Sequence, residues 1–307
     1  MSQGIPGLPI TAITATTVAT ETVAILSDVH GNDLALQAVL AALVTTPHDR
    51  IVIAGDHVWN GVRPAEALRR LRALEVPMLL GNTDEYLWLP AKHPDMPVMV
   101  DWSQRLIGHE SVTFLRNLPI SWRETPPGGT SPASDLLVVH ATPTDVDAEL
   151  VLEPDPFGSL AVTPADEARQ LIGDARAGLI VAGHLHYASS GTVDGQRLAT
   201  VGSVGGSLDG NPAAAWALAR WDGTSWTLEH RRTVYDVEAA ATEIERRHPD
   251  AALGRVLAER LRRARWIPFC NRAPSGDSRS PSSCPEGESE TSHSGGCRPS
   301  PGSAAIS

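Results

Sequence analysis

Five short apolar runs, residues 22–27, 50–54, 76–80, 136–139 and 178–182, each give way at once to side chains able to ligate a metal ion. In chain order these are Asp28 and His30; Asp56 after Gly55; Asn82 and Asp84 after Gly81; His140; and His184 with His186 after Gly183. An apolar run without a polar break suits a strand buried on both faces. In open α/β sheets, sites form beyond the carboxyl ends of the strands, which is where all of these polar groups fall. The expectation is that they converge along one sheet edge. Single dipeptides such as Gly-Asp or Val-His carry little information, because an isolated His near a strand end is usually structural and an isolated Asp is usually a turn former or helix cap. The ordered set of carboxylate, amide and imidazole carries much more. It supplies enough ligands for two metal ions, and it points to a two-metal hydrolase.

The residue types match that chemistry. Hydrolysis needs a strong nucleophile near neutral pH and positive charge facing the group under attack, and two ions ~3.5–4 Å apart supply both. A carboxylate has two oxygens and a full charge with which to join two ions, while an Asn side chain offers a neutral carbonyl oxygen. Mixed imidazole and oxygen ligation suits two divalent ions drawn from Mn²⁺, Fe²⁺, Zn²⁺ or Ni²⁺. The absence of Cys from the set argues against a thiolate structural zinc.

Over residues 21–236 this ordered set resembles the calcineurin-like metallophosphoesterases, in particular their small bacterial and archaeal phosphodiesterase branch. The resemblance implies that Asp28, His30 and His186 hold a first metal, that Asn82, His140 and His184 hold a second, and that Asp56 bridges them. Asp28, His30 and Asn32, with Leu34, Leu36, Val39 and Leu40 after them, resemble the family's first strand, turn and helix. Residues 202–205 with Asp209 and Gly210 resemble its Gly-Ser-Val loop. The implied fold is α/β, a four-layer α/β/β/α sandwich of two mixed sheets. The implied activity is hydrolysis of phosphate esters, foremost phosphodiesters, by a metal-bridging hydroxide. Phosphomonoesterase, protein serine/threonine phosphatase and dinucleoside polyphosphate hydrolase activities are alternatives, as is a non-catalytic scaffold like the retromer subunit of this fold. A scaffold is free to lose ligands, and here all seven are present.

One position departs from the wider superfamily. Many members place after the Asn ligand a His thought to act as general acid; this chain has Thr83. A hydroxyl cannot donate a proton as an imidazolium does, so general acid catalysis of that form, typically ~10²–10⁴-fold, is missing or comes from elsewhere. His57 is a substitute acid, with a pocket-wall or solvated His as its ordinary reading. Asp84 reads as an outer partner for the loop or the His30 ring ahead of a helix over residues 85–89, and Asn32 as a further outer residue.

The formal charge of −11 and pI near 5.4 exclude extended binding along a nucleic acid backbone, which depends on clustered Lys and Arg. A small phosphate ester or nucleotide fits better. No run approaches the ~18 apolar residues of a membrane span, and residues 1–20 lack the pattern of a signal peptide, so a cytoplasmic protein is expected, with a homo-oligomer left open. The expected organisation is a flexible segment over 1–20, a catalytic domain over 21–236 with a helical insert at about 85–135, packed helices over 237–266, and a disordered tail over 267–307. The tail holds Cys270, Cys284 and Cys297, read as free thiols. Tyr86, Trp88, His93 and Trp102 read as core or as stacking groups for a base. Residues 197–201, 214–221 and 226–232 read as strands that complete a second sheet, with Asp222 and Gly223 as a hairpin turn.

Overall fold

A computed structural model describes residues 20–92 and 96–268. Residues 1–19, residues 93–95 with His93 among them, and the tail from residue 269 with its three Cys lie outside the described residues. The first half of the chain runs β1 (Glu21–Leu26), α1 (Asp33–Val44), β2 (Arg50–Ile53), α2 (Pro64–Arg72), α3 (Asn82–Glu85), α4 (Met96–Ile107), α5 (His109–Arg116), β3 (Ser121–Glu124) and β4 (Leu136–Val139). The second half runs α6 (Ala165–Ile172), β5 (Leu179–Ala182), β6 (Ala188–Val193), β7 (Gln196–Val201), β8 (Ala214–Trp221), β9 (Trp226–Thr233), α7 (Val237–Arg247) and α8 (Ala251–Arg263).

Among the described residues the strands form two mixed sheets, ordered β2-β1-β8-β9 and β3-β4-β5-β7-β6. The period-2 alternation of a strand divides its side chains between two cores. On β1, Val23 and Ile25 join Leu136 and Val138 of β4, Leu179 and Val181 of β5, and Trp226 in a core between the sheets. Ala24 and Leu26 turn the other way, onto Leu36 and Val39 of α1, Leu68 and Leu71 of α2, and residues of α4 and α5. On the second sheet Leu137, Val139 and Ile180 point outward onto Ala168 and Ile172 of α6. Two sheets carrying helices on their outer faces make the four-layer sandwich. Each fully buried aliphatic side chain in these cores contributes ~1.5–3 kcal/mol.

Local signals set the helix ends. Asn32 caps α1 by accepting from the Ala35 amide at 3.2 Å. Pro64 opens α2, where its missing N–H has no helical partner to lose. Asp236 and Asp250 cap α7 and α8, and the two helices are separated at His248 and Pro249. No helix among the described residues is long and apolar enough to cross a membrane.

Three expectations change. Residues 76–80 form only a single parallel bridge, Ile53 to Met78, because Pro77 has no N–H and the Leu80 amide is taken by the Pro119 carbonyl at 2.8 Å. The three later strands do not build one sheet together: β7 lies between β5 and β6, whereas β8 and β9 extend the sheet of β1. The residue pattern of a strand does not say which sheet it joins. The helix expected over 85–89 is the single turn Asn82–Glu85, started earlier by the Asp84 carboxylate, which accepts the Gly81 amide at 3.1 Å.

Candidate metal centre

The loops after the strand ends meet where the two sheets face each other. Asp28, His30 and Asp56 leave the first sheet, His140, His184 and His186 leave the second, and Asn82 comes after the Met78 bridge. The site is therefore built from the ends of both sheets, and not from one sheet edge as the sequence suggested.

Five of the seven expected ligands hold left-handed backbone: Asp28 (φ 55°), His30 (47°), Asp56 (56°), His184 (67°) and His186 (61°). Each such non-glycine residue costs ~1–3 kcal/mol and persists only where its surroundings over-determine it. Here a net of backbone bonds does so, among them the Asp28 amide to the Gly55 carbonyl (3.1 Å), the His30 amide to the Asp56 carbonyl (2.9 Å) and the Gly205 amide to the Asp28 carbonyl (2.9 Å). Two motif glycines are needed for space. A Cβ on Gly81 would lie 2.2 Å from Asp56 Oδ1, and one on Gly183 would lie 1.9 Å from Ser27 Oγ.

The side chains fall into two groups that share Asp56. In the first, ligating atoms of Asp28, His30, Asp56 and His186 all lie within 4.8 Å of one another. His30 donates from Nδ1 to the Trp59 carbonyl (3.1 Å) and His186 from Nδ1 to the Gly206 carbonyl (2.6 Å), so each presents a bare Nε2 to the site. These two nitrogens stand 3.0 Å apart. Asp28 Oδ2 accepts the His184 amide at 3.0 Å, while its Oδ1 is buried without a hydrogen-bond partner and lies 3.2 Å from His186 Nε2. In the second group His140 donates from Nδ1 to the Ala54 carbonyl (2.7 Å), and its Nε2 lies 3.0 Å from Asn82 Oδ1. His184 Nδ1 is 3.2 Å from the same oxygen. Asp56 divides its oxygens, with Oδ2 3.4 Å from His30 Nε2 and Oδ1 3.4 Å from His140 Nε2. Nitrogen and oxygen donors thus converge from several loops on one place. Such a donor set fits divalent cations.

The electrostatics are those of a buried, mutually dependent set. Burial pushes the Asp28 carboxyl up, but His186, His140 and His30 outweigh it and hold it well below the usual carboxylate range. Burial pushes His30 down against the pull of Asp56, and it takes His184 to about 4. For His186 and His140 burial is overcome by Asp28 and Asp56, and both rings are raised.

His57 is fully buried, which corrects the solvated reading, and its Nδ1 sits 2.7 Å from Asp84 Oδ2. Asp84 supports the loop and does not touch the His30 ring: it accepts the amides of Asp56 (3.1 Å), His57 (3.0 Å) and Gly81 (3.1 Å). Asn32 lies behind the ligands and ties α1 to the Gly205 carbonyl at 3.0 Å. The Thr83 amide donates to Asp56 Oδ1 at 2.9 Å, and its hydroxyl is buried without a partner. Of the aromatics, Trp102 is buried against His248 and Trp88 packs on the α4–α5 core, while Tyr86 lies beside Asn82, its hydroxyl 3.0 Å from Asn82 Nδ2. Sequence reasoning missed Asp147 and Lys92, which complete the surroundings of Asn82. Asp147 sits in a loop without periodicity, and the only available signal was that Lys92 is the sole lysine in the chain.

Residues 22–222 match the model of the calcineurin-like phosphoesterase superfamily domain. An uncharacterized protein of Methanocaldococcus jannaschii, MJ0912, is 26% identical over 255 residues, covering 76% of this chain and 96% of its own length. Among solved structures, a metallophosphoesterase from Sphaerobacter thermophilus superposes with a TM-score of 0.60 at 22% identity, covering 79% of this chain and 99% of that one. The hypothetical protein PH1004 from Pyrococcus horikoshii gives 0.62 at 18% identity, covering 75% and 94%. At these identities the two structures support the fold alone.

Proposed function

We propose, from the premise that this chain belongs to the calcineurin-like phosphoesterase superfamily, that it is a two-metal phosphoesterase acting by preference on phosphodiesters. The observation that carries the reading is Asp56, whose two oxygens face two different groups of ligands. Asp28, His30, Asp56 and His186 would hold one ion, and Asp56, Asn82, His140 and His184 the other. When bound, such ions supply a hydroxide nucleophile near neutral pH and positive charge opposite the phosphoryl oxygens.

The chain's own residues do the rest. Backbone carbonyls of Trp59, Gly206 and Ala54 fix the tautomers of His30, His186 and His140, so that Nε2 faces inward in each. Asp84, bonded to His57 and three loop amides, holds Asp56 in place. This assigns His57 to positioning and not to acid catalysis. With Thr83 where other members carry His, no imidazolium from that position assists the leaving group. Esters whose leaving group departs unaided, such as aryl phosphodiesters, are then favoured over alkyl ones.

The test is a panel of nitrophenyl monoesters and diesters, cyclic nucleotides, dinucleotides and dinucleoside polyphosphates, assayed with each of Mn²⁺, Fe²⁺, Zn²⁺ and Ni²⁺ and with chelator. Diester hydrolysis that chelation abolishes is the expected result. Turnover of monoesters or of dinucleoside polyphosphates alone would reassign the substrate. Protein that binds both ions and turns over nothing would favour the scaffold reading.

A further inference from the structure

Asn82 differs from the other six ligands in one respect. The two ends of its amide are alike in shape and opposite in character: the oxygen attracts a cation, and the NH₂ repels one. Nothing within the side chain decides which end faces His140 and His184. A half-turn about the Cβ–Cγ bond would replace a ligand with two N–H groups, so the orientation has to come from its neighbours.

Those neighbours are Asp147, Tyr86 and Lys92. Asn82 Nδ2 donates to Asp147 Oδ1 at 2.7 Å and to the Tyr86 hydroxyl at 3.0 Å. Tyr86 in turn donates to the same Asp147 oxygen at 3.0 Å, which leaves its own oxygen free to accept. An ionised carboxylate only accepts, so a flipped Asn82 would set oxygen against oxygen. The Lys92 ammonium pairs with Asp147 Oδ2 and lies 5.0 Å from the centroid of the Tyr86 ring. Lys92 is the one lysine among 25 basic residues, and it stands on this carboxylate.

We propose that Asp147, paired with Lys92 and braced by Tyr86, is a positioning residue that fixes the Asn82 amide with its oxygen toward the second ion. It thereby sets the affinity of that half-site alone. The proposal rests on the two-metal reading above.

The test is Mn²⁺ titration of the metal-stripped full-length protein by calorimetry, with Asn82→Ala marking which of two isotherms belongs to the second half-site. Asp147→Ala should weaken that same isotherm by ~10–100-fold, the usual cost of losing an outer partner of a ligand. The other isotherm should stay unchanged, which also reports an intact fold. Asp147→Asn has a single accepting oxygen for donors on both sides, Asn82 with Tyr86 on one and Lys92 on the other, so it should lose nearly as much as Asp147→Ala. Asp147→Ala with both isotherms unchanged, or both weakened alike, would overturn the positioning role while leaving two metals in place. Wild-type protein that binds fewer than two ions would overturn the two-metal reading and this inference with it.

Discussion

The two half-sites share Asp56 but are assembled on different plans. The first adds a second carboxylate, Asp28, and two imidazoles that are each anchored through Nδ1 on a backbone carbonyl. The second adds only neutral groups: His140 anchored on Ala54, His184 presenting Nδ1, and an amide whose direction depends on Asp147. Formal charge differs by one between them. The first should therefore hold its ion by charge, and the second by the correct orientation of neutral donors. The first tolerates small displacements, because Coulomb attraction falls slowly with distance, whereas the second loses affinity when a single dipole turns.

The largest expected effect comes from the residue the two plans share. Asp56→Asn should weaken both Mn²⁺ isotherms at once and lower kcat/KM by more than the ~10–100-fold typical of an outer partner. Asp28→Asn comes next and separates the plans. It should remove the tighter isotherm and leave the weaker one nearly as it was. If Asp56→Asn spared one isotherm, Asp56 would belong to a single ion; if Asp28→Asn weakened both equally, the division into half-sites would fail.

The division itself was only partly legible in the sequence. The ligands were readable because each comes directly after an apolar run, whereas the sandwich followed from the family resemblance that those ligands carry. Sheet membership was not readable, since β7 and β8 both read as strands yet join different sheets. The left-handed backbone at Asp28, His30 and Asp56 left no mark either, because it is imposed by loops packing together and not by residue type. Asp84 was expected at the loop or the His30 ring and is found on the loop and on His57, and Asp147 went unseen: both side-chain pairings are chosen by geometry across sequence separations of 27 and 65 residues.

In one property the half-sites should behave alike. Each holds one imidazole raised above its ordinary value of 6.5, His186 in the first and His140 in the second. Each also holds one that is lowered, His30 and His184 respectively. A protonated ring cannot ligate, so each ion must displace about one proton as pH falls below the raised values, while the lowered rings are already neutral. Both affinities should then drop together, by up to about tenfold per pH unit, once pH falls below the raised values. Titrations at a series of pH values test this. Isotherms that converge or diverge with pH would mean that the proton load is unequal.

The smallest effect belongs to Tyr86→Phe, and it falls on the second half-site alone. Burial, with Asp147 adding to it, keeps the phenol far above its usual range, so at assay pH it is a neutral group that donates to Asp147 and accepts from Asn82. Removing its oxygen takes away one of the two acceptors of Asn82 Nδ2 and leaves the charged one. The ring remains, and with it the edge contact to Trp59 at 5.7 Å and the Lys92 contact at 5.0 Å. Loss of one neutral hydrogen bond is worth ~0.5–1.5 kcal/mol, or about two- to tenfold in the weaker isotherm. The first half-site has no contact with this hydroxyl and should not respond. A loss as large as that of Asp147→Ala would shift the work of orienting Asn82 from the carboxylate to the phenol, and the second half-site would then owe its geometry to a neutral network throughout.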